Sequence, residues 1–260
     1  MTPYRFVRRA AGRILRAIPW TRRNVMMMPD YTVITIEQAR ERQKISWHSP
    51  RAARLQDLAY EALIADMHAG KPRIDLDVAA KAVDAVGLAG PSLIEIGCGS
   101  GYYSEILATL ARSRVDYTGI DYSAAMIGRA NEHYPDVRFE IGDATALRFP
   151  DGTFDIAFNG VSLMHILDYE KAIAESARVA RAAAVFHSAP VFPDHPTTFL
   201  HKYAYGGPMV EAVFNRQELL ALFDRYGLRL VQSWRTIDYD VGPVTGSPSH
   251  AETFLCEKTQ

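Results

Sequence analysis

The sequence predicts an α/β fold: a doubly wound, seven-stranded sheet whose last strand runs antiparallel, under an N-terminal helical cap. Three observations predict it. A short apolar run, Ser92-Leu93-Ile94-Glu95-Ile96, ends at a turn with glycine at alternate positions (Gly97, Gly99, Gly101), and helical spacing follows at Ile106, Leu107 and Leu110. Strand, tight turn and helix in that order bring backbone N–H groups up to a small ligand. Three more apolar runs then close on polar residues: Val115 to Asp121, Val137 to Asp143-Ala144, and Phe154 to Asn159-Gly160. Polar residues at successive strand tips lie along the carboxyl edge of an open α/β sheet, where such folds bind ligands.

Taken in order, the elements divide the chain into a basic amphipathic segment over 1–29, a helical cap over 30–90 and a sheet domain over 91–260. Tyr31 to Ile36 reads as a short strand, and helical spacing runs from Glu37 to Lys44 and from Pro50 to His68. Gly70-Lys71-Pro72 breaks the spacing, and Leu76 to Val86 reads as the last helix before the sheet. These helices are expected to pack over the ligand edge, so that Trp47, Gln56 and Tyr60 either reach it or simply pack within the cap. Beyond the fourth strand, Tyr169 to Arg181 predicts an amphipathic helix and Ala183 to Pro190 the fifth strand. His187, near that strand's end, is expected to point toward an acceptor. Asn215-Arg216-Gln217-Glu218 reads as a capping box, with Gly227 ending the helix it starts. Leu228 to Trp234 and Thr253 to Cys256 give the sixth and seventh strands, paired antiparallel. Between the fifth strand and that helix, Val191 to Phe214 is aromatic and too long for a simple connection. It is expected to form a lid and an acceptor-binding region.

The glycine spacing and the acids select among ligands. A dinucleotide turn has the pattern Gly-x-Gly-x-x-Gly and lays a pyrophosphate on the helix N-terminus. Here the pattern is Gly97-x-Gly99-x-Gly101 with Glu95 at the strand end. A carboxylate so placed repels a pyrophosphate and attracts an ammonium or sulfonium. Asp121, twenty residues past Gly101, stands where ribose hydroxyls are held.

In these motifs the chain resembles the class I S-adenosylmethionine-dependent methyltransferases, from about Pro91 to the C-terminus, and so implies a Rossmann-like fold with S-adenosyl-L-methionine as cofactor. The resemblance implies that Glu95, Gly97, Cys98, Gly99 and Gly101 wrap the methionine part and that Asp121 holds the ribose. Tyr122 and Met126 would flank the adenosyl group, and Asp143 and Ala144 would hold the adenine. Asn159 and Gly160 would face the methyl group. His165 falls where relatives carry a His-Ile pair, and serves either as a ligand contact or as helix-start packing. His165 and His187 are the candidate general bases near neutral pH. Where relatives have a Lys-Pro-Gly-Gly turn this chain has Arg181-Ala182-Ala183, a change of loop. The Trp47 to Pro50, His187 to Pro190 and Phe214-Asn215 stretches also resemble a bacterial subgroup associated with surface-polysaccharide biosynthesis.

Composition bounds the rest. The chain has 260 residues, 48% of them hydrophobic, enough for one sizeable core. No apolar run reaches the roughly 18 residues of a membrane span. Cys98 and Cys256, the two cysteines, make neither a disulfide framework nor a metal site, and a reducing cytoplasm is expected. No metal is expected. Residues 1–29 hold seven of the 29 basic residues and no acid, which leaves 22 basic against 30 acidic residues in the remainder. On a helix, Phe6, Val7, Ala10, Ala11, Ile14, Leu15 and Ile18 share one half of the circle, with Arg5, Arg8, Arg9, Arg13 and Arg16 on the other. Residues 5–18 therefore fit either an anionic membrane surface at the inner face or a helix docked on its own domain. No nucleic-acid partner is expected, because basic and aromatic residues are not interleaved elsewhere. The function expected is methyl transfer to an oxygen or nitrogen of a small molecule or glycan. A non-catalytic cofactor-binding protein and an NAD-dependent oxidoreductase remain as other classes.

Overall fold

The computed structural model of the protein describes residues 31–43 and 47–259. The arginine-rich segment lies outside the described residues. Chain order gives β1 (Thr32–Ile34), α1 (Ile36–Gln43), α2 (Pro50–His68), α3 (Ile74–Asp84), β2 (Ser92–Ile96), α4 (Tyr102–Leu110), β3 (Asp116–Asp121) and α5 (Ala124–His133). Next come β4 (Arg138–Ile141), β5 (Phe154–Gly160), a 3₁₀ turn at Leu163–His165, α6 (Tyr169–Val179) and β6 (Ala180–Phe192). The chain ends with β7 (Thr198–Ala204), β8 (Gly207–Asn215), α7 (Arg216–Arg225), β9 (Leu228–Arg235), α8 (Gly242–Thr245) and β10 (His250–Lys258).

The central sheet has the order β9-β10-β6-β5-β2-β3-β4. β2 to β6 are parallel, and β10 is antiparallel to both its neighbours, as the sequence predicts. Side chains alternate between faces because a strand repeats every two residues. On one face Ile94, Ile96, Ala157, Phe186 and Phe254 pack with Ile173 of α6 and Phe223 of α7. On the other, Leu93, Phe158, Val185 and Leu255 pack with Leu76 of α3 and with Ile106 and Leu107 of α4. Glu95 has the parity of Leu93, so its carboxylate enters the α3/α4 face near the carboxyl edge.

The stretch after β6, expected as a lid and acceptor-binding region, is built of strands. β6 continues to Phe192, and β8 runs parallel to its last two residues, with Val191 opposite Phe214 and Phe192 opposite Asn215. β7 and β8 form an antiparallel hairpin, and β1 from the cap adds to β7. The region over the carboxyl edge is thus a three-stranded sheet. Its turn is Tyr205-Gly206, both with positive φ (49° and 79°), the geometry that matches strand twist in a two-residue hairpin. The capping box also differs in part. Asn215 Oδ1 accepts from the N–H groups of Gln217 and Glu218, whereas the Glu218 carboxylate accepts from the Thr197 hydroxyl. Thr197 Oγ1 takes the Asn215 N–H in its place.

The cap is fastened through Asp57 of α2. Its buried carboxylate accepts from the Tyr102 hydroxyl at 2.9 Å and from Arg129 Nε at 2.6 Å, joining α2 to α4 and α5. Asp57→Ala leaves two donors of that site unpaired and is expected to lower unfolding free energy by about 1–3 kcal/mol, read from urea denaturation. A loss within error of zero would show that the cap docks by other contacts.

Candidate active site

A cavity of about 1850 Å³ runs along the carboxyl edge, between the sheet, helices α1 and α2, and the β1-β7-β8 sheet. It exceeds the few hundred to roughly 1,000 Å³ of a single small-ligand site, and so has room for two reactants. Gly97, Gly99, Asp121, Tyr122, Met126, Asp143, Ala144 and Gly160 line it, as does His165.

The turn after β2 is shaped for close approach. A Cβ on Gly97 would sit 2.5 Å from Ser162 Cβ, and its φ of +79° is one that side chains resist. A Cβ on Gly99 would meet the Gln56 amide at 3.0 Å. Asp121 fixes this turn in space. One carboxylate oxygen accepts from the Gly99 N–H at 3.0 Å and the other from the Ser123 N–H at 2.8 Å, the residue that caps α5. Two loops thus hang on one side chain at the tip of β3. Asp143, at the tip after β4, accepts from both the N–H and the hydroxyl of Thr145 at 2.8 Å, which turns the chain along the cavity wall.

The two innermost carboxyls are costly to ionise. Burial raises the Glu95 carboxyl to about 8, with a hydrogen bond from Tyr117 opposing and the Asp121 charge adding. Burial raises Asp121 to about 6 against its two backbone donors. Little offsets that burial: a hydroxyl, two backbone amides and the neighbouring His48.

Five expected site residues do not reach the cavity wall. His187 is the clearest correction. Its parity puts it on the α3/α4 face, where it stacks on Phe158 and meets Tyr103 edge-on, 2% exposed. Its Nδ1 contacts the Thr253 hydroxyl at 2.9 Å, and burial drives its pKa down to about 4. Asn159 turns the other way, donating from Nδ2 to the Ser176 hydroxyl of α6. Cys98 packs with Ile127, Ala130 and Phe139, and burial raises its thiol well above the ordinary value. Gly101 starts α4 with its Cα side closed by the Phe139 ring. Glu95 lies behind the wall, where only the missing Cβ of Gly160 leaves room for its Oε1.

His165 is differently placed. Its Nδ1 lies 2.9 Å from the Val210 carbonyl, and a carbonyl only accepts, so Nδ1 carries the proton and Nε2 keeps its lone pair. Burial lowers its pKa, with the Glu211 charge opposing. Trp47 meets its ring edge-on at 5.1 Å, and Tyr205 lies 5.2 Å beyond Trp47. Trp47, Gln56 and Tyr60 all line the cavity, so the cap does reach it.

Sequence reasoning missed the polar cluster on the far wall. Lys202 of β7 pairs with Glu211 of β8, and the hydroxyls of Tyr31 and Tyr239 also donate to Glu211. Burial opposes ionisation of Glu211, yet the Lys202 charge holds its carboxyl below the ordinary value. The available signal was one acid inside the apolar run Met209-Val210-Glu211-Ala212-Val213-Phe214. Backbone strain marks the same cavity. Among the described residues, non-glycine positive φ occurs at Val161 (61°), Ser188 (50°) and Tyr205 (49°), and all three line it. Such conformations cost of order 1–3 kcal/mol each and gather at functional sites.

The carboxyl shifts fix a pH dependence. Both groups titrate above their unfolded values, so the stability they contribute is complete at low pH. It is lost as pH rises through about 6 for Asp121 and about 8 for Glu95. Glu95→Gln is therefore expected to melt progressively higher than the ligand-free wild type as pH goes from 5 to 9, in thermal scans. A pH-independent difference would contradict the burial of an ionising carboxyl.

Comparison with known proteins gives the same assignment. Residues 94–187 match the family described as a methyltransferase domain. A probable S-adenosylmethionine-dependent methyltransferase of Mycolicibacterium smegmatis is 33% identical over 98 residues, 38% of this chain and 37% of its own length. A demethylmenaquinone methyltransferase of Renibacterium salmoninarum is 35% identical over 100 residues, 38% of this chain and 41% of its own. The chain thus spans about two fifths of these curated relatives. A 1,6-didemethyltoxoflavin-N1-methyltransferase of Burkholderia thailandensis, solved with 1,6-didemethyltoxoflavin and S-adenosylhomocysteine bound, shares the fold. Its TM-score is 0.53 at 19% identity, covering 83% of this chain and 91% of that one. Residues 94–187 are thus similar to a methyltransferase domain, and the chain shares the fold of a solved methyltransferase.

Proposed function

We propose that the chain transfers a methyl group from S-adenosylmethionine to an oxygen or nitrogen of a small molecule or glycan unit. The observation that carries this reading is one cavity lined by two different chemistries. At one end are the glycine turn, Asp121 and Asp143; at the other are His165 and the Lys202–Glu211 pair. In this reading Asp121 accepts from the ribose hydroxyls, and Asp143 with Ala144 holds the adenine. Tyr122 and Met126 wall the nucleoside. Glu95 attracts the methionyl ammonium from behind Gly160. Asn159, Cys98 and Gly101 support these contacts from outside the wall.

The reaction needs little covalent help, because a sulfonium already leaves readily. The acceptor oxygen or nitrogen attacks the methyl carbon, the carbon–sulfur bond breaks, and its electron pair stays on sulfur as S-adenosylhomocysteine. The acceptor proton passes to His165 Nε2, the lone pair left free by the Val210 contact. The depressed pKa of His165 keeps that nitrogen unprotonated at neutral pH. Holding the acceptor on the methyl axis, away from water, supplies the rest of the rate.

Two experiments test this. Calorimetry with S-adenosylhomocysteine and with NAD is expected to show binding of the first alone; NAD binding alone would return the oxidoreductase reading. Incubation with methyl-labelled S-adenosylmethionine and host small-molecule and glycan extracts is expected to transfer label. His165→Ala is expected to slow that transfer by about 10²–10⁴-fold with S-adenosylhomocysteine affinity unchanged. Binding with no transfer to any fraction would leave a non-catalytic cofactor-binding protein.

A further inference from the structure

Among the described residues, two buried carbonyl-type oxygens near the glycine turn find no hydrogen-bond donor: Glu95 Oε1 and Gln56 Oε1. A buried acceptor left unpaired costs about 1–3 kcal/mol, so such atoms mark where a ligand supplies the donor. Glu95 Oε1 lies against Gly160, and the Gln56 amide lies against Gly99. Both glycines line the cavity. Gln56 is not part of the sheet domain. It stands on α2 of the cap, next to Asp57, the residue that fastens α2 to α4 and α5. Its position over the turn is therefore fixed by a buried anchor one residue away.

The chemistry of an amide narrows what it meets. Gln56 presents Oε1 and Nε2 at 3.0 and 3.3 Å from the same point above Gly99, an acceptor beside two donors. A zwitterionic α-amino acid offers the complement, an ammonium that only donates and a carboxylate that only accepts. Adenine also complements an amide, through N6 and N7, but in the cofactor reading adenine lies at Asp143 and the amino-acid end at the glycine turn, where Gln56 stands.

We propose that Gln56 is a specificity residue contributed by the cap, which reads the amino-acid end of the cofactor. It rests on the cofactor reading given above. In this arrangement the ammonium donates to Gln56 Oε1 while Glu95 attracts it from behind Gly160, and the cap closes on the cofactor by hydrogen bonding to its methionyl part. The adenosine part is left to Asp121 and Asp143.

The test compares two probes on the full chain by calorimetry: S-adenosylhomocysteine, and 5′-methylthioadenosine, which has the same nucleoside thioether without the amino acid. Gln56→Leu is expected to weaken S-adenosylhomocysteine about tenfold or more, the value of hydrogen bonds to charged groups, and to leave 5′-methylthioadenosine within about twofold. Gln56→Glu keeps an acceptor but removes both donors and sets a like charge against the carboxylate, and is expected to weaken S-adenosylhomocysteine while leaving 5′-methylthioadenosine within about twofold. Equal weakening of both probes by Gln56→Leu, or no weakening of either, would overturn the assignment. Failure of the wild type to bind either probe would overturn the cofactor reading itself.

Discussion

The structure depends on burying Glu95 and Asp121 at adjoining strand tips with no lysine or arginine among the described residues to neutralise them. Desolvation opposes their ionisation, and only a hydroxyl, backbone amides and a nearby histidine offset it. A cationic ligand removes that penalty by supplying the missing charge inside the fold. In the proposed reading the arrangement trades ligand-free stability for affinity toward one charge type. It also explains the glycines, since Gly97, Gly99 and Gly160 let the backbone and the carboxylates approach without a Cβ between.

Around that edge the fold adds two covers. The cap helix α2, held by Asp57, closes over the glycine turn. The β1-β7-β8 sheet closes over the end of β5 and places His165, Lys202, Glu211 and Tyr205 on the second half of the cavity. The strained residues fit this division. Val161 follows β5 where the methyl group would be presented, and Tyr205 turns the hairpin so that its ring reaches Trp47. Both conformations persist because the sheet and hairpin on either side determine them.

The sheet was legible in the sequence because its signals are local. Each parallel strand is an apolar run with a polar tip, and the turn after β2 is marked by glycines. Asp121, Asp143 and Gly97 could be placed from spacing alone. His187 and Asn159 could not, because a position at a strand's end does not say which face the side chain takes. Their parity sends one under Tyr103 and the other to Ser176. The β7-β8 hairpin was hidden for another reason. Its turn is Tyr205-Gly206 and not Asn-Gly or Asp-Gly, and Glu211 breaks its apolar run. Partners such as Lys202 with Glu211, or Gln56 with Gly99, arise only when separate segments meet, so single-sequence spacing does not reveal them.

The measurement that bears most directly on the buried carboxylates is the pH dependence of S-adenosylhomocysteine binding to the wild-type chain. It is best done by calorimetry from pH 5.5 to 8.5 in buffers of different ionisation enthalpy. Affinity that rises with pH through the values of Asp121 and Glu95, with protons released on binding, is the predicted result. Affinity that is flat or falls over that range, with heats independent of buffer, would contradict the account.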